Sequence, residues 1–315
     1  MAAFRRGWSA ILNAFYVGSN STTELPQIDG LRALAVIFIM IDHAWGVAGG
    51  PNLRWTIPFT GQTVLVSGWV NRGDLGVPLF FILSGFLLPQ SWLRAIHTGA
   101  PRPSLRNYFK RRLFRIVPAY YVCLFLLLVL FTPSLIPFDR VYSNDGLKEL
   151  LAHLTFTHFL FTDTMGSWNI DSPMWTLTHE ATFYLLLPLV FVLFIGRRSL
   201  VSVPAALVIS VAWVYLSHLR MTALVDFVHQ HSSDKLFFSA TTIRTGFLAP
   251  QFPAYLFTFA LGIALADWFV RTQLGLARRP GALAALALLA AGIVLLFASV
   301  KYIDFAQGEV ASYFL

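Results

Sequence analysis

Residues 106–132 read RNYFKRRLFRIVPAYYVCLFLLLVLFT. Five cationic side chains, Arg106, Lys110, Arg111, Arg112 and Arg115, run directly into a stretch without a single charge. From 114 to 132 the run would be about 28 Å long as a helix, close to the roughly 30 Å of a bilayer's hydrocarbon core. In lipid every backbone N–H and C=O must be satisfied within the segment, so a run of this length and composition demands a helix. Arginines and lysines accumulate on the cytoplasmic side of short loops, so the basic end faces the cytoplasm.

The rest of the chain repeats the theme. Of 315 residues, 57% are hydrophobic and 12% charged, against roughly a quarter charged in soluble domains. Candidate spans fall at 31–48, 75–93, 114–132, 175–195, 200–217, 253–270 and 281–300. The expected fold class is therefore all-α, a polytopic transmembrane helical bundle. An eighth apolar stretch, 147–162, is short and carries Lys148, Glu149, His153 and His158. Arg197 and Arg198 mark another cytoplasmic loop, so crossings between 115 and 196 must be even in number. Spans 114–132 and 175–195 satisfy that alone, and 147–162 reads as re-entrant or interfacial on the outer side, a full crossing being the alternative.

The formal charge of +8, from 23 Lys plus Arg, sits in short loops between apolar runs. It reports topology, and no nucleic-acid partner is called for. Residues 1–26 read as a retained, cytoplasmic amphipathic segment, and 27–315 as one transmembrane domain. Cys123, the single cysteine, reads as a small buried apolar residue. The outer segment 218–252 is mixed in character and has room for a short helix.

Ionisable groups in lipid are costly and mark function. The first span, IDGLRALAVIFIMIDHAWG, holds Asp29, Arg32, Asp42 and His43. Arg32 and His43 are eleven residues apart, which returns to nearly the same helix face about 16 Å along the axis. Imidazole suits proton transfer near neutral pH. In GDLGVPLFFILSGFLL, residues 73–88, the glycines suit close helix packing, and Ser84 is a candidate nucleophile or substrate ligand. Arg112 and Arg115, three apart at the basic end, suit a phosphorylated ligand, although topology alone also places arginines there. In SPMWTLTHEATFYLLLP, residues 172–188, His179 and Glu180 sit beside Trp175 and Tyr184. Entering from outside, Glu180 lies about 9 Å below the outer surface and His43 about 12 Å, so a carboxylate can orient the imidazole and stabilise its charged form.

Taken in order, D-G-L-R with Arg32 and His43, G-V-P-L-F-F-I-L-S-G-F, Arg112 and Arg115 before I-V-P, and W-T-L-T-H-E at Trp175 to Glu180 resemble acyltransferase family 3, membrane O-acyltransferases that include O-antigen and nodulation-factor O-acetyltransferases. PAYLFTFALGIALAD, residues 253–267, looks like a later helix of that family. The resemblance implies a multi-pass protein of the bacterial inner membrane, N-terminus cytoplasmic, that moves an acyl group, acetyl above all, from cytoplasmic acyl-CoA to a hydroxyl of a cell-envelope glycan or related acceptor. It implies His43 as catalytic histidine, general base or acyl relay, with Glu180 and Asp42 supporting it. It implies Arg112 and Arg115 as residues that hold acetyl-CoA and Arg32 as part of the histidine's motif; beside it, the buried polar residues themselves place Arg32 with the donor and Ser84, Trp175 and Tyr184 near the substrate, and no metal is expected. It also implies a larger bundle than the seven or eight spans legible here, so either the last helices are missing or the chain is a shorter variant. A transporter or flippase for a lipid-linked sugar is the rival reading of the same buried charges, separable by its indifference to an acyl donor.

Overall fold

The computed structural model describes residues 26–50, 53–70, 73–130, 144–161, 164, 174–231, 247–278 and 281. The expected span 281–300 (Gly281 apart) and the amphipathic segment 1–26 (Pro26 apart) lie outside these. The described chain is all-α. Helix α1 is Pro26–Val47, α2 Gly76–Leu87, α3 Gln90–Thr98, α4 Leu105–Leu130 and α5 Asn144–Leu154. Then follow α6 Trp175–Val190, α7 Ser199–Leu219, α8 Thr222–His231 and α9 Leu256–Gln273. A two-stranded antiparallel ribbon, β1 Arg54–Thr56 and β2 Thr63–Leu65, follows α1 and exposes Trp55 and Phe59.

Among the described residues, five helical stretches are long and apolar enough to cross a membrane: Gly73–Thr98, Leu105–Leu130, Trp175–Phe194, Gly196–Ser217 and Phe252–Gln273. They match five of the sequence-derived spans, and α1, 22 residues long, covers a sixth. Their outer faces carry what only lipid tolerates in such density, with Val122, Phe125 and Leu130 exposed on α4 and Leu200, Val201 and Val208 on α7. Pro118, Pro188 and Pro204 lie inside helices, as is common where neighbouring helices re-satisfy freed carbonyls.

Two boundaries differ from the sequence reading. The basic stretch 94–115 is mostly helix, since α3 runs to Thr98 and α4 begins at Leu105. Only the Gly- and Pro-containing Gly99–Ser104 connects them, and Gly99 takes φ 71° to end α3. Arg112 and Arg115 therefore stand on the spanning helix itself. The stretch 147–162 resolves into α5, whose eleven residues reach about 16 Å and cannot cross the core. After it the chain turns sharply, with Thr157 N–H donating to Ala152 O at 2.8 Å. Tyr121 of α4 donates to Leu154 O at 2.6 Å, fixing the turn against the spanning helix. The short helix expected in the outer segment is α8.

The chain divides into two compact units, one of described residues within Ser84–Asp267, the other within 25–83 and from 268 onward. Each is described by itself. In the smaller unit, Gly73 and Gly76 lie so close to α1 that a Cβ would strike the backbone carbonyls of Phe38 and Ala35. In the larger, Gly85 meets the Phe259 carbonyl of α9 in the same way, with Gly262 Cα 3.1 Å from where a Cβ would sit. Phe183 of α6 stacks on Phe259 at 4.0 Å, and Trp92 of α3 packs on Tyr108 of α4 at 4.7 Å and on Phe191 at 5.5 Å.

One polar tie orders the helix ends. Asp267, 3% exposed, accepts from His97 Nε2 at 2.6 Å through one oxygen and from the Gly196 N–H at 2.9 Å through the other. The end of α3, the turn beside Arg197 and Arg198, and the far half of α9 thus lie on one side of the bundle. That is the parity derived from the arginines, with an even number of crossings between them.

Candidate active site

His43 lies near the C-terminal end of α1. Its Nδ1 donates to Ile39 O, one turn back, at 2.9 Å. Asp42 Oδ2 is 3.8 Å from the same nitrogen. A backbone carbonyl accepts only from an N–H, so this bond selects the tautomer protonated at Nδ1 and leaves the Nε2 lone pair available as base or nucleophile. The His43 side chain is 32% exposed and Asp42 19%, so the imidazole is neither sealed in nor loose. Asp42 belongs to the seam where Gly73 closes on α1. Arg32 forms a long, 4.0 Å ion pair with Asp29, whose side chain is 78% exposed. That pair anchors the helix start and leaves much of the guanidinium open. The uninterrupted helix between Arg32 and His43 keeps them about 16 Å apart along its axis.

In the larger unit the polar centre is Glu180 on α6. Its Oε1 accepts from the Tyr184 hydroxyl, one turn on, and from Ser84 Oγ on α2 at 3.4 Å. Ser84 therefore points its proton at a carboxylate. No imidazole is hydrogen-bonded to it among the described residues, and the carboxylate sets the direction of its hydroxyl. Tyr108 donates to Tyr184 O at 3.3 Å. Arg112 lies over both rings, its Cζ 6.0 Å from the Tyr108 centroid and 5.9 Å from that of Tyr184. Stacking on two aromatic faces, with a hydrogen bond to Tyr184, holds the guanidinium in place. Arg112 Nε is buried with no hydrogen-bond partner among the described residues. Arg115 is exposed. A cavity of ≈340 Å³ opens beside this cluster, lined by Lys110, Arg112, Ile116, Val117, Phe156 and Tyr184 among others.

The sequence-derived residues thus fall into two groups. Arg32, Asp42 and His43 share α1 in the smaller unit. Ser84, Glu180 and Tyr184 meet in the larger, with Arg112 against Tyr184 and Arg115 one turn further along α4. Trp175 is half-buried and packs edge-on to His179 at 5.2 Å. His43 and Glu180 belong to different units, so the structure gives the surroundings of each separately.

Three features escaped the sequence reading. Tyr108 sits inside a quoted motif, yet nothing in its spacing distinguishes it from an interfacial aromatic. His179 is 2% exposed, with Nδ1 3.0 Å from Trp175 O and Nε2 2.7 Å from Pro250 O. Both ring nitrogens face backbone, so His179 ties α6 to the segment before α9 and does not reach a substrate. His153 and His158 stack at 4.2 Å within the re-entrant element. Burial drives the His158 pKa down to about 3, helped by His153 and His179 against a weaker pull from the Met174 backbone, and burial lowers that of His153 as well. Two histidines five apart in a short apolar stretch were the available signal. Among the described residues, no group of three or more His, Cys, Asp or Glu is placed to hold a metal ion.

The family model of acyltransferase family 3, described as an acyltransferase domain, matches residues 25–315. The chain is 28% identical over 231 residues to O-acetyltransferase OatA of Staphylococcus aureus, covering 71% of this chain and 34% of that protein. It is 30% identical over 222 residues to nodulation protein 10 of Rhizobium leguminosarum, 64% of this chain and 54% of the relative. Over 177 residues it is 28% identical to the putative peptidoglycan O-acetyltransferase YrhL of Bacillus subtilis, 53% of this chain and 24% of that protein. The chain spans about a third of the length of the OatA proteins it matches. No solved structure matches it.

Proposed function

The chain belongs to acyltransferase family 3, and from that premise we propose that it is an inner-membrane O-acetyltransferase, moving acetyl from cytoplasmic acetyl-CoA to a hydroxyl of a cell-envelope glycan. The observation that carries this reading is the His43 imidazole, held through Nδ1 by Ile39 O at 2.9 Å so that Nε2 is the reacting nitrogen. The names of O-acetyltransferase OatA and of the putative peptidoglycan O-acetyltransferase YrhL support the choice of acetyl and of an envelope acceptor.

In direct transfer, Nε2 takes the proton of the acceptor hydroxyl as its oxygen attacks the thioester carbonyl. The tetrahedral intermediate expels the thiolate of coenzyme A, which receives that proton. In the relay form, Nε2 attacks the thioester carbonyl and expels the thiolate of coenzyme A; the acceptor oxygen then attacks the acetyl-imidazolium, neutral imidazole leaves, and the hydroxyl proton ends on the thiolate. Either way the imidazole becomes transiently positive, and Asp42, 3.8 Å from Nδ1, stabilises that charge. Arg112 and Arg115 take the phosphates of the donor at the cytoplasmic end of α4, and Arg32, facing the same end of α1, contributes a further charge. Glu180, held by Tyr184 and Ser84, and Trp175 shape the acceptor side.

The test is His43→Ala in purified, reconstituted protein supplied with acetyl-CoA, with mass spectrometry of envelope glycans from cells carrying wild type or variant. Acetyl increments lost with His43→Ala, in a protein that stays folded, are expected. Retained transfer would sink the scheme, and cargo movement without an acyl donor would favour the transporter.

A further inference from the structure

Phe156 is the one non-glycine residue among those described with a positive φ, 59°. Left-handed backbone is costly for a bulky side chain, and a protein retains such a conformation where the surroundings over-determine it. Here they do. Phe156 N–H donates to His153 O at 3.1 Å, and its ring packs on Tyr120 at 4.7 Å and on Tyr121 at 6.4 Å. Tyr120 is 4% exposed, and Tyr121 locks the same turn through Leu154 O. The strained turn therefore places one aromatic ring against α4 and into the wall of the ≈340 Å³ cavity.

The cavity has a chemical direction. Lys110 and Arg112 line it near the start of α4, and Leu113, Ile116 and Val117 continue the wall. Tyr120, on which Phe156 stacks, stands eight residues beyond Arg112, about 12 Å along the helix. One end offers cations, including the unpartnered Arg112 Nε; the wall is apolar; the other end is an aromatic ring held by the turn. A phosphate-bearing, chain-like ligand fits that order, charge outermost and acyl group innermost.

We propose that Phe156 is a specificity residue that closes this cavity and limits the length of the acyl group carried by the donor. The inference rests on the acyl-CoA reading above and extends it to a residue on the re-entrant turn. The two-carbon acyl group stops at the ring, and each further methylene meets Phe156. An ill-fitting methylene in an apolar pocket is worth roughly tenfold or more in discrimination.

Phe156→Gly and Phe156→Asn both suit a left-handed backbone, glycine freely and asparagine well, and both remove the ring. Binding of free coenzyme A, acetyl-CoA and butyryl-CoA to the purified full chain is measured for wild type and both variants. The expected result is wild type favouring acetyl-CoA over butyryl-CoA by about tenfold or more, variants that bind the two within about threefold, and unchanged affinity for coenzyme A. Wild-type discrimination that persists in a folded variant overturns the role of Phe156 alone. A wild type that binds none of the three overturns the acyl-CoA reading, and the proposal with it.

Discussion

Replacing Gly85 by alanine adds one methyl group where α2 meets α9. Its Cβ would press into the Phe259 carbonyl oxygen and stand 3.1 Å from Gly262 Cα. The carbonyl oxygen is the closer obstacle, and non-bonded heavy atoms settle at about 3.5–4.0 Å, so the helices must part by roughly an ångström, and the obstacle is backbone that no rotamer change can clear. Overpacking of this kind costs about 1–3 kcal/mol. Against it stands helix propensity, which favours alanine over glycine by about 1 kcal/mol. Gly30 in α1 supplies the control, because a Cβ there meets nothing within 4 Å. Gly85→Ala is expected to lower thermal stability in detergent by several degrees, while Gly30→Ala leaves it unchanged or raises it. Separation at this seam also loosens the 3.4 Å bond from the adjacent Ser84 to Glu180, so transfer activity falls with stability. Equal shifts for the two variants, or an unperturbed Gly85→Ala, would refute close packing at this seam.

Arg112→Lys keeps the charge but loses the planar stack on Tyr108 and Tyr184, and it is expected to raise KM for acetyl-CoA about tenfold with kcat little changed; unchanged KM would remove Arg112 from the donor site. Tyr184→Phe deletes a donor to Glu180, and activity is expected to fall several-fold with Tm nearly constant, measured on reconstituted protein. His153 and His158 are held neutral when folded but titrate near 6.5 when unfolded. Below pH 6.5 the unfolded chain binds more protons, so stability is full above 6.5 and declines as pH falls toward 3, by about 1.4 kcal/mol per pH unit for His158. A His158→Phe variant with the same acid limb as wild type in detergent unfolding would refute this. Asp267→Ala removes a buried carboxylate, leaves His97 Nε2 and the Gly196 N–H without that acceptor, and is expected to cost about 3–5 kcal/mol, read as a lowered Tm; a shift under about a degree would count against the tie.

Spans and their parity were legible because lipid imposes them: apolar length and basic flanks are written one segment at a time. The start of α4 was misplaced by nine residues because cationic turns look like loops when only charge is read, although long Arg and Lys stems let such turns remain helical at an interface. His43, Arg112 and Glu180 stood out as charges within apolar helices, a local signal. Their partners did not. Tyr108 reaching Tyr184 O, Ser84 reaching Glu180 and His97 reaching Asp267 join segments 76, 96 and 170 residues apart, and no periodicity encodes such pairings. The φ of Phe156 was equally hidden, since a lone phenylalanine in an apolar stretch reads as an ordinary apolar residue.

His97 leaves the ribosome long before Asp267 does. At roughly 5–20 residues per second, the 170 positions between them amount to about 10–35 s of translation. Throughout that interval the α3 terminus and the Gly196 turn lack this shared carboxylate, and Trp92 stacked on Phe191 is left to hold the two segments near one another. Arrival of α9 closes them together in one event, through a single carboxylate. The arrival of α9 is thereby registered in the membrane as a change of fold, and a product that stalled before α9 would display an unclosed polar seam to whatever surveys new membrane proteins.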